Sequence, residues 1–430
     1  MRPLLLLALL FAPLVAPAET PAARPVTMEE FVDEVSRGNL DLAARRFDVS
    51  IAEAQVALAR LVPDPSATVS VSPLNSPGAP VTTSVGVAGT IELGGKRRAR
   101  VGEAAAGRTL AEARLEDFFQ TIRTSAAGAF VDALAARQVR DRKRRTLGRV
   151  ETLVSATEER LRAGDVSPAA LWQVKVEADR FRADVIAAEG AVEAADLALR
   201  QFLAPAAAGE PPAVVPSGDL DVPVRTFDAG ALVARAVEAR SDLVAARKAA
   251  DVADAHVGVA RANRWIDPTL GAAWSHTTAA SGSYAVIAPS QPFDGLGLSV
   301  ALPIPFSKLS HGELDAARAA ARQAETEARA ARHAVEIDVR QALVRYDAAR
   351  RALELYAGEV LGNADKVLEA TSYSYVHGSA RLLELLDAQR TADDVYLGYA
   401  AALAEHARAL VALERASGLW DLDFRPEASR

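Results

Sequence analysis

The chain has 430 residues and a formal net charge of −7, with 49 Lys and Arg against 56 Asp and Glu. An acidic balance argues against a nucleic-acid partner, and the absence of cysteine excludes disulfides and thiolate metal sites. Half of the residues are apolar but only 5% are aromatic. Alanine is the most visible residue, and Ala-rich sequence with many Arg and Glu favours long, closely packed helices.

The N-terminus has the pattern of a secretory signal. Arg2 precedes a short apolar run over residues 4–15, which is followed by Ala16-Pro17-Ala18. This order predicts a signal peptide over residues 1–18 that is cleaved after Ala18. The run is too short to cross a bilayer, and no later segment is both long and uncharged enough to do so. We therefore expect an exported chain without a helical membrane anchor.

Two features occur twice along the chain. Asp64 and Asp267 each precede a proline and are 203 positions apart (267 − 64), whereas Gly164 and Gly378 each precede helical sequence and are 214 apart (378 − 164). These similar spacings predict a duplicated unit. The predicted boundaries are a first repeat over 27–203, a Pro/Gly-rich linker over 204–226, a second repeat over 227–420 and a tail over 421–430.

Each repeat contains alternating sequence that predicts a β-hairpin, over 66–93 in the first repeat and 269–306 in the second. Small polar residues alternate with apolar ones, and Pro/Gly-rich turns separate the two runs of each pair. Each hairpin should therefore have one polar and one apolar face. In the first hairpin these faces are formed by Ser70, Ser72 and Ser84 and by Val69, Val71, Val85 and Val87.

A very long helix follows each hairpin, from about residue 95 to 162 and from 312 to 376. Neither segment contains proline, and each would reach roughly 100 Å at 1.5 Å per residue. Their apolar residues follow 3–4 spacing, which indicates coiled-coil packing. Gly164 and Gly378 then permit reversals, after which second long helices return antiparallel.

The hairpins leave their apolar faces and edges without partners inside one chain. For an exported chain without helical spans, the outer membrane is the apolar medium, and only a closed barrel of at least eight strands satisfies the backbone there. One chain offers four strands, and three copies would give twelve. The predicted fold is mainly α with a transmembrane β part: a trimeric 12-stranded outer-membrane β-barrel that is continued by a periplasmic α-helical barrel.

The sequence also resembles the TolC family of outer-membrane efflux proteins, most closely its heavy-metal (CzcC-like) branch. The resemblance lies in "IELGGKRRAR" before a long helix, in "LPIPFSKLSHGELDAARAAA" and in "LLELLDAQR" after a glycine turn. It implies a homotrimeric, non-enzymatic exit duct in the outer membrane of a Gram-negative bacterium, which extends into the periplasm. It further implies a periplasmic adaptor (membrane fusion) protein, an inner-membrane pump of the RND type, and heavy-metal cations as cargo.

The stretch from Thr90 to Val101 raises a second question, because a strand, a Gly-Gly-Lys turn and a helix start could form a phosphate loop. A P-loop needs Gly where the chain has Thr90 and Ser or Thr where it has Arg97, so nucleotide binding is excluded. Instead, the two glycines make the bend where the chain leaves the membrane. The basic cluster at this bend could contact lipid headgroup phosphates or merely solvate the helix start. Its members are Lys96, Arg97, Arg98 and Arg100.

In the family, polar residues around the second glycine turn narrow the periplasmic aperture. By position, Tyr375 matches the aromatic hydrogen-bonding residue, and Glu384 and Asp387 match two acidic residues six and nine positions after the glycine. Three copies would stack these carboxylates into rings that attract cations. The alternative is an ordinary solvated helix face, since residues 384 and 387 share one face of a helix.

The sequence departs from the family pattern at two aperture positions. Ala380 stands where the family has a basic residue, and Arg381 lies one position further on. In the first repeat, Ala170 occupies the position that corresponds to Glu384. We therefore expect the aperture to be held by different contacts.

The sequence contains no pattern of an active site or a cofactor site. The six histidines are scattered without metalloprotease spacing, and there is no Gly-x-Ser-x-Gly motif. We predict neither metal, cofactor nor catalysis. Trp274 in a strand fits an aromatic girdle or an ordinary interface equally well. Two alternatives stay open, a soluble periplasmic coiled-coil adaptor without a pore and a secreted enzyme on a helical scaffold.

Overall fold

The computed structural model of the chain describes residues 24–72, 78–204, 214–282, 286, 289, 291–304, 306 and 311–420. The predicted signal peptide and tail lie outside these residues, as does much of the linker. The first half contains β1 (Arg24–Val26), α1 (Met28–Gly38), α2 (Leu40–Ala59), β2 (Ser66–Ser72), β3 (Thr82–Thr90), α3 (Lys96–Ala163) and α4 (Pro168–Arg200).

The second half has the same order of elements. It contains β4 (Val214–Pro216), α5 (Ala229–Ala239), α6 (Ser241–Ala262), β5 (Thr269–Thr277), β6 (Phe293–Ala301), α7 (Gly312–Leu355), a π-helical turn (Tyr356–Val360), α8 (Leu361–Val376) and α9 (Leu382–Ser417). The strand β4 lies within the predicted linker and pairs in parallel with β1, so the starts of the two halves meet.

The first long helix, α3, has 68 residues and extends for about 100 Å. It ends at Gly164, whose φ of 84° is costly for a residue with a side chain. Ser167 caps the returning α4, and Pro168 at the first helical position suits a helix start. We call the antiparallel pair α3–α4 the first arm. None of the described helices is both long and apolar enough to cross a membrane.

The second long helix differs from the prediction of one regular helix over 312–376. It is helical throughout, but a π-helical turn at Tyr356–Val360 separates α7 from α8. In this turn the N–H of Leu361 bonds to the carbonyl of Tyr356, five residues earlier. We call α7, the π-turn, α8 and the returning α9 the second arm; it reverses at Gly378, with a φ of 77°.

The main hydrophobic core lies at mid-length, where α1 and α5 pack beside α3, α7 and α9. Phe31 and Phe130 meet with ring centres 5.7 Å apart, which joins α1 to α3. Tyr346 is fully buried, and its hydroxyl donates to the carbonyl of Arg225 at 3.1 Å. His406 of α9 packs against the Tyr346 ring at 5.2 Å. This core fixes the two arms to each other at one level.

The two hairpins form one four-stranded antiparallel sheet in the order β2-β3-β5-β6. The inner strands β3 and β5 come from different repeats and pair from Thr82↔Thr277 to Thr90↔Thr269. The strands end at Thr90 and Ala301, earlier than the predicted hairpin limits. The segments that follow connect the sheet to α3 and α7.

Candidate functional site

One face of the sheet is apolar and exposed. The registers place Val69, Val85, Trp274 and Leu296 in one row across all four strands. Their exposed fractions are 72%, 47%, 46% and 80%. A parallel row contains Ala67, Val87, Ala272 and Leu298. Such a continuous apolar band needs an apolar medium outside the chain.

The opposite face carries small, mostly polar side chains. Ser70, Ser84 and Ser275 form one row, and the Ser70 and Ser84 hydroxyl oxygens lie 2.7 Å apart. Thr82 and Thr277 make a similar contact at 3.0 Å. Phe293 is the large exception, at the end of β6. No strand residue on this face is charged among the residues that the structure describes, so the face is neutral and water-compatible.

The outer edges of the sheet belong to β2 and β6. Within the described residues neither edge pairs with a further strand. Exposed edges of this length pair readily with other chains. The sheet is therefore incomplete in a single chain.

The bend between β3 and α3 is built by contacts from both repeats. Gly94 and Gly95 have φ values of 71° and 73°, as expected for the predicted bend. A Cβ on Gly94 would lie 2.3 Å from the Trp265 ring, so only glycine fits under this indole. Asp267 accepts the N–H of Leu93 at 3.0 Å and pairs with the ammonium of Lys96. Sequence reasoning had identified Asp267 only as a repeat marker.

The basic cluster at this bend is largely bound to the protein itself. The Lys96 side chain is only 8% exposed, and Arg97 donates to the carbonyl of Arg60 at 2.7 Å. Arg100 pairs with Glu92 at 3.0 Å, and these bonds raise the pKa of Arg100. Arg98 is exposed, and no ion pair for it is recorded within the described part of the chain. Contact with lipid headgroups therefore stays a prediction that concerns Arg98 above all.

The four aperture residues lie on both sides of the second glycine turn. Tyr375 is half-buried, and the guanidinium carbon of Arg160 lies 5.4 Å from its ring centre. Glu384 accepts the backbone N–H of Arg381 at 3.1 Å and so caps α9. The Asp387 side chain is 65% exposed and lies 3.5 Å from Arg390. Their role in an aperture is a prediction that one chain does not test.

Buried polar contacts that the sequence did not reveal join α9 to the first arm. Arg390 donates to both carboxylate oxygens of Glu177, at 2.8 and 2.5 Å, and Glu177 is 4% exposed. These bonds lower the pKa of Glu177. Further along α9, Asp393 accepts from Arg142 at 3.2 Å and from Thr146 at 2.5 Å. The paired residues are more than 200 positions apart, so no local pattern could have predicted them.

The histidines are placed apart from one another. His256 contacts Glu103 and His276 contacts Asp294, at 2.7 and 2.8 Å. His377 contacts the carbonyl of Tyr373. No group of three or more His, Cys, Asp or Glu suited to a metal ion occurs among the described residues. The arrangement is that of a passage or a scaffold, with no assembled reactive group in this part of the chain.

Comparisons with known proteins agree with this arrangement. The sequence model of the family described as "Outer membrane efflux protein" matches residues 32–204 and 232–419. The chain is 26% identical to the cobalt-zinc-cadmium resistance protein CzcC of Cupriavidus metallidurans over 398 residues, which cover 92% of this chain and 90% of that protein.

Two solved structures share the fold. CusC superposes with a TM-score of 0.74 at 17% identity, covering 93% of this chain and 94% of CusC. The open state of the MtrE outer membrane channel of Neisseria gonorrhoeae gives a TM-score of 0.70 at 20% identity, covering 91% and 89%. The predicted fold class, efflux function and outer-membrane location are confirmed, and neither a soluble adaptor nor an enzyme is supported. The chain belongs to the outer membrane efflux protein family.

Proposed function

We propose that three copies of the chain form the exit duct of a tripartite efflux system, and that its cargo is divalent heavy-metal cations. The observation that carries this proposal is the sheet. It has an exposed apolar face, a neutral small-residue face and two unpaired edges. A closed barrel places the first face against lipid and the second around a water-filled lumen.

The internal repeat specifies how the copies would join. Ser66 pairs with Ala88 in the first hairpin and Thr269 pairs with Ala301 in the second, so these positions correspond. Between repeats, Ala88 pairs with Gly271. The same geometry between copies would place Ala301 opposite the position that corresponds to Gly271, which is Thr68 of the next copy. In this register Leu298 lies opposite Val71 of a second copy.

Cysteine cross-linking tests this register, because the natural chain has no cysteine. We expect Leu298→Cys with Val71→Cys to form covalent trimers on oxidation of membranes. The matched control, Leu298→Cys with Ala67→Cys, moves one thiol four residues along β2 and about 13 Å away, beyond disulfide reach. Monomers alone from the first pair, or equal cross-linking of both pairs, would contradict the assembly.

The cargo proposal rests on the name of a relative and on the acidic aperture. CzcC is named a cobalt-zinc-cadmium resistance protein. Rings of Glu384 and Asp387 carboxylates would favour cations over anions. A wide neutral lumen has little selectivity of its own, so the pump would choose the cation.

Gene deletion in the source bacterium tests the cargo. We expect lower tolerance of zinc, cobalt or cadmium, higher cellular metal content, and recovery when the gene is restored. Cells that instead become sensitive to organic drugs, with unchanged metal content, would assign a different cargo.

A passive duct has no energy source, so we infer two further partners, an inner-membrane pump and a periplasmic adaptor protein. Outer-membrane lipid would cover the apolar band, with Arg98 near the headgroup phosphates. After cross-linking in cells, the adaptor and pump encoded beside this gene should co-purify with the chain. Recovery of the chain without either protein would argue against a tripartite assembly.

A further inference from the structure

The segment α8 is the most weakly packed part of the second arm. Ala364 is its one buried residue within the described chain. It packs along α9, but it makes no extensive contact with α3 or α4 in the part of the molecule that the structure describes. A helix with so little buried surface is held in place by few interactions, and these can be named.

A groove of about 550 Å³ separates α8 from α3. Leu153 and Ala156 line it from α3, and Leu368 and Ser372 line it from α8. Arg160, over the Tyr375 ring at 5.4 Å, lies at the end near the glycine turns. The groove offers room and apolar surface for α8 to move toward the first arm.

The upper end of α8 begins at a natural pivot. Above the π-turn, α7 is anchored by the buried residues Tyr346 and Leu353. In the turn itself, Gly358 adds flexibility, and Tyr356 packs so closely on α9 that a Cβ at Gly398 would lie 2.7 Å from its hydroxyl. Single π-turns inside α-helices interrupt the regular bonding ladder and allow bending there.

One polar contact holds α8 to α9 below this pivot. The Tyr396 hydroxyl lies 2.9 and 3.1 Å from the two carboxylate oxygens of Asp365. The Tyr396 ring is itself fixed, because the guanidinium of Arg142 stacks on it at 3.5 Å and bonds to Asp393. We call Asp365 and Tyr396 the latch.

The helix α9, in contrast, is attached to the first arm. Arg390 and Glu177 form a two-bonded ion pair, and Asp393 bonds to α3. Leu382, the first residue of α9, packs on the apolar cluster of the first arm, whose buried members are Val150, Val174, Ala178 and Phe181. Therefore α9 should move with the first arm rather than with α8.

We propose that the aperture opens by movement of α8 alone, which pivots at the π-turn into the groove beside α3 when the latch between Asp365 and Tyr396 breaks. α9 stays fixed to the first arm. This inference rests on the proposed duct, because it assigns to Asp365 and Tyr396 the positioning of the helix that carries Tyr375 into the aperture.

Single-channel conductance of the purified protein in planar lipid bilayers tests the latch. Tyr396→Phe removes only the hydroxyl, so we expect an open probability at least threefold higher than that of the natural chain with unchanged thermal stability. Tyr399→Phe, on the same helix, is the matched control and should leave conductance unchanged. A protein that forms no channel would count against the proposed duct, whereas equal conductance of both variants would overturn the latch alone.

Two disulfides distinguish which helix moves. Asp365→Cys with Tyr396→Cys should hold the channel in its low-conductance state when oxidised and release it on reduction, since reduction leaves no latch. Glu177→Cys with Arg390→Cys joins α9 to α4 and should leave opening intact in both redox states. Opening that is blocked by the second bridge but not by the first would show that α9 moves, and would overturn the proposal.

Discussion

The two arms have the same topology but different interiors. With the offset of 214 between the repeats, the returning helices α4 and α9 align position by position. The buried stripe of α4 has coiled-coil spacing and is apolar, whereas corresponding positions of α9 are smaller or polar. The α4 stripe is Leu171, Val174, Ala178, Phe181, Val185, Ala188 and Val192, and α9 has Leu385, Ala388, Ala392, Val395, Tyr399, Ala402 and His406.

This difference indicates that only the first arm is stabilised by its own seam. The second arm has a thin seam, an interrupted long helix and a weakly buried α8, and it depends on polar bonds to its neighbour. A duct that opens needs one element of low local stability beside a rigid one. Gene duplication followed by divergence of the seam would supply both.

The largest expected difference between the arms follows from truncating matched positions. Phe181 is 6% exposed, so Phe181→Ala should cost about 3–5 kcal/mol. Val395, its half-buried counterpart, should cost only about 1 kcal/mol when changed to Ala. Hydrogen exchange of the detergent-solubilised protein measures both changes locally. Similar loss of protection in the two variants would mean that the seams are equally important.

The ion pair between α9 and α4 gives the next largest effect. Arg390→Leu leaves the buried Glu177 carboxylate without its charge partner and should lower the free energy of unfolding by about 2–4 kcal/mol. The double variant Glu177→Leu with Arg390→Leu removes both charges and should recover most of this loss. Urea unfolding measures all three proteins; a double variant no better than the single one would contradict the argument.

The same pair has a definite pH dependence. Arg390 lowers the pKa of Glu177 in the folded chain, chiefly through its hydrogen bonds. The stabilisation is therefore fully present above the ordinary glutamate pKa and is lost as the pH falls through the lowered folded value. Arg390→Leu should remove this acid-dependent part of the unfolding curve.

His406 gives a smaller, pH-dependent contrast with Val192. Neither ring nitrogen has a hydrogen-bond partner among the described residues, and burial lowers the pKa of this imidazole. Asp221, Arg350 and Glu354 are the nearest charged influences. As the pH falls below about 6.5, the unfolded chain binds a proton that the folded chain resists, so stability is lost by at most about 1.4 kcal/mol per pH unit.

Thermal melting between pH 7.5 and 5.5 measures this loss. His406→Leu should flatten the pH dependence while it retains an apolar contact with Tyr346. Val192→Leu in the first arm serves as the matched control and should keep the slope of the natural chain. A slope that is unchanged in His406→Leu would assign the pH dependence to other groups.

Local patterns predicted the long helices, the glycine turns and the hairpins because helix period, strand alternation and positive φ are properties of short segments. They did not predict that β3 and β5 join the hairpins, or that Lys96 is buried against Asp267. Those pairings depend on how distant segments meet. The π-turn was missed for another reason, since one extra residue in a helical turn leaves the apolar spacing almost unchanged.

The aperture carboxylates give the smallest expected effect. Asp387 is exposed near the second glycine turn, and its counterpart in the first repeat, nine positions after Gly164, is the uncharged Gln173. If three Asp387 side chains line the aperture, Asp387→Asn should lower the cation-over-anion permeability ratio by roughly twofold, because one ring of charge is lost while Glu384 still caps α9. Reversal potentials in a salt gradient measure the ratio. Gln173→Asp adds the missing charge to the first repeat and should raise the ratio only if that turn also faces the ion path. An unchanged reversal potential in Asp387→Asn would place this carboxylate on an outer, solvated helix face.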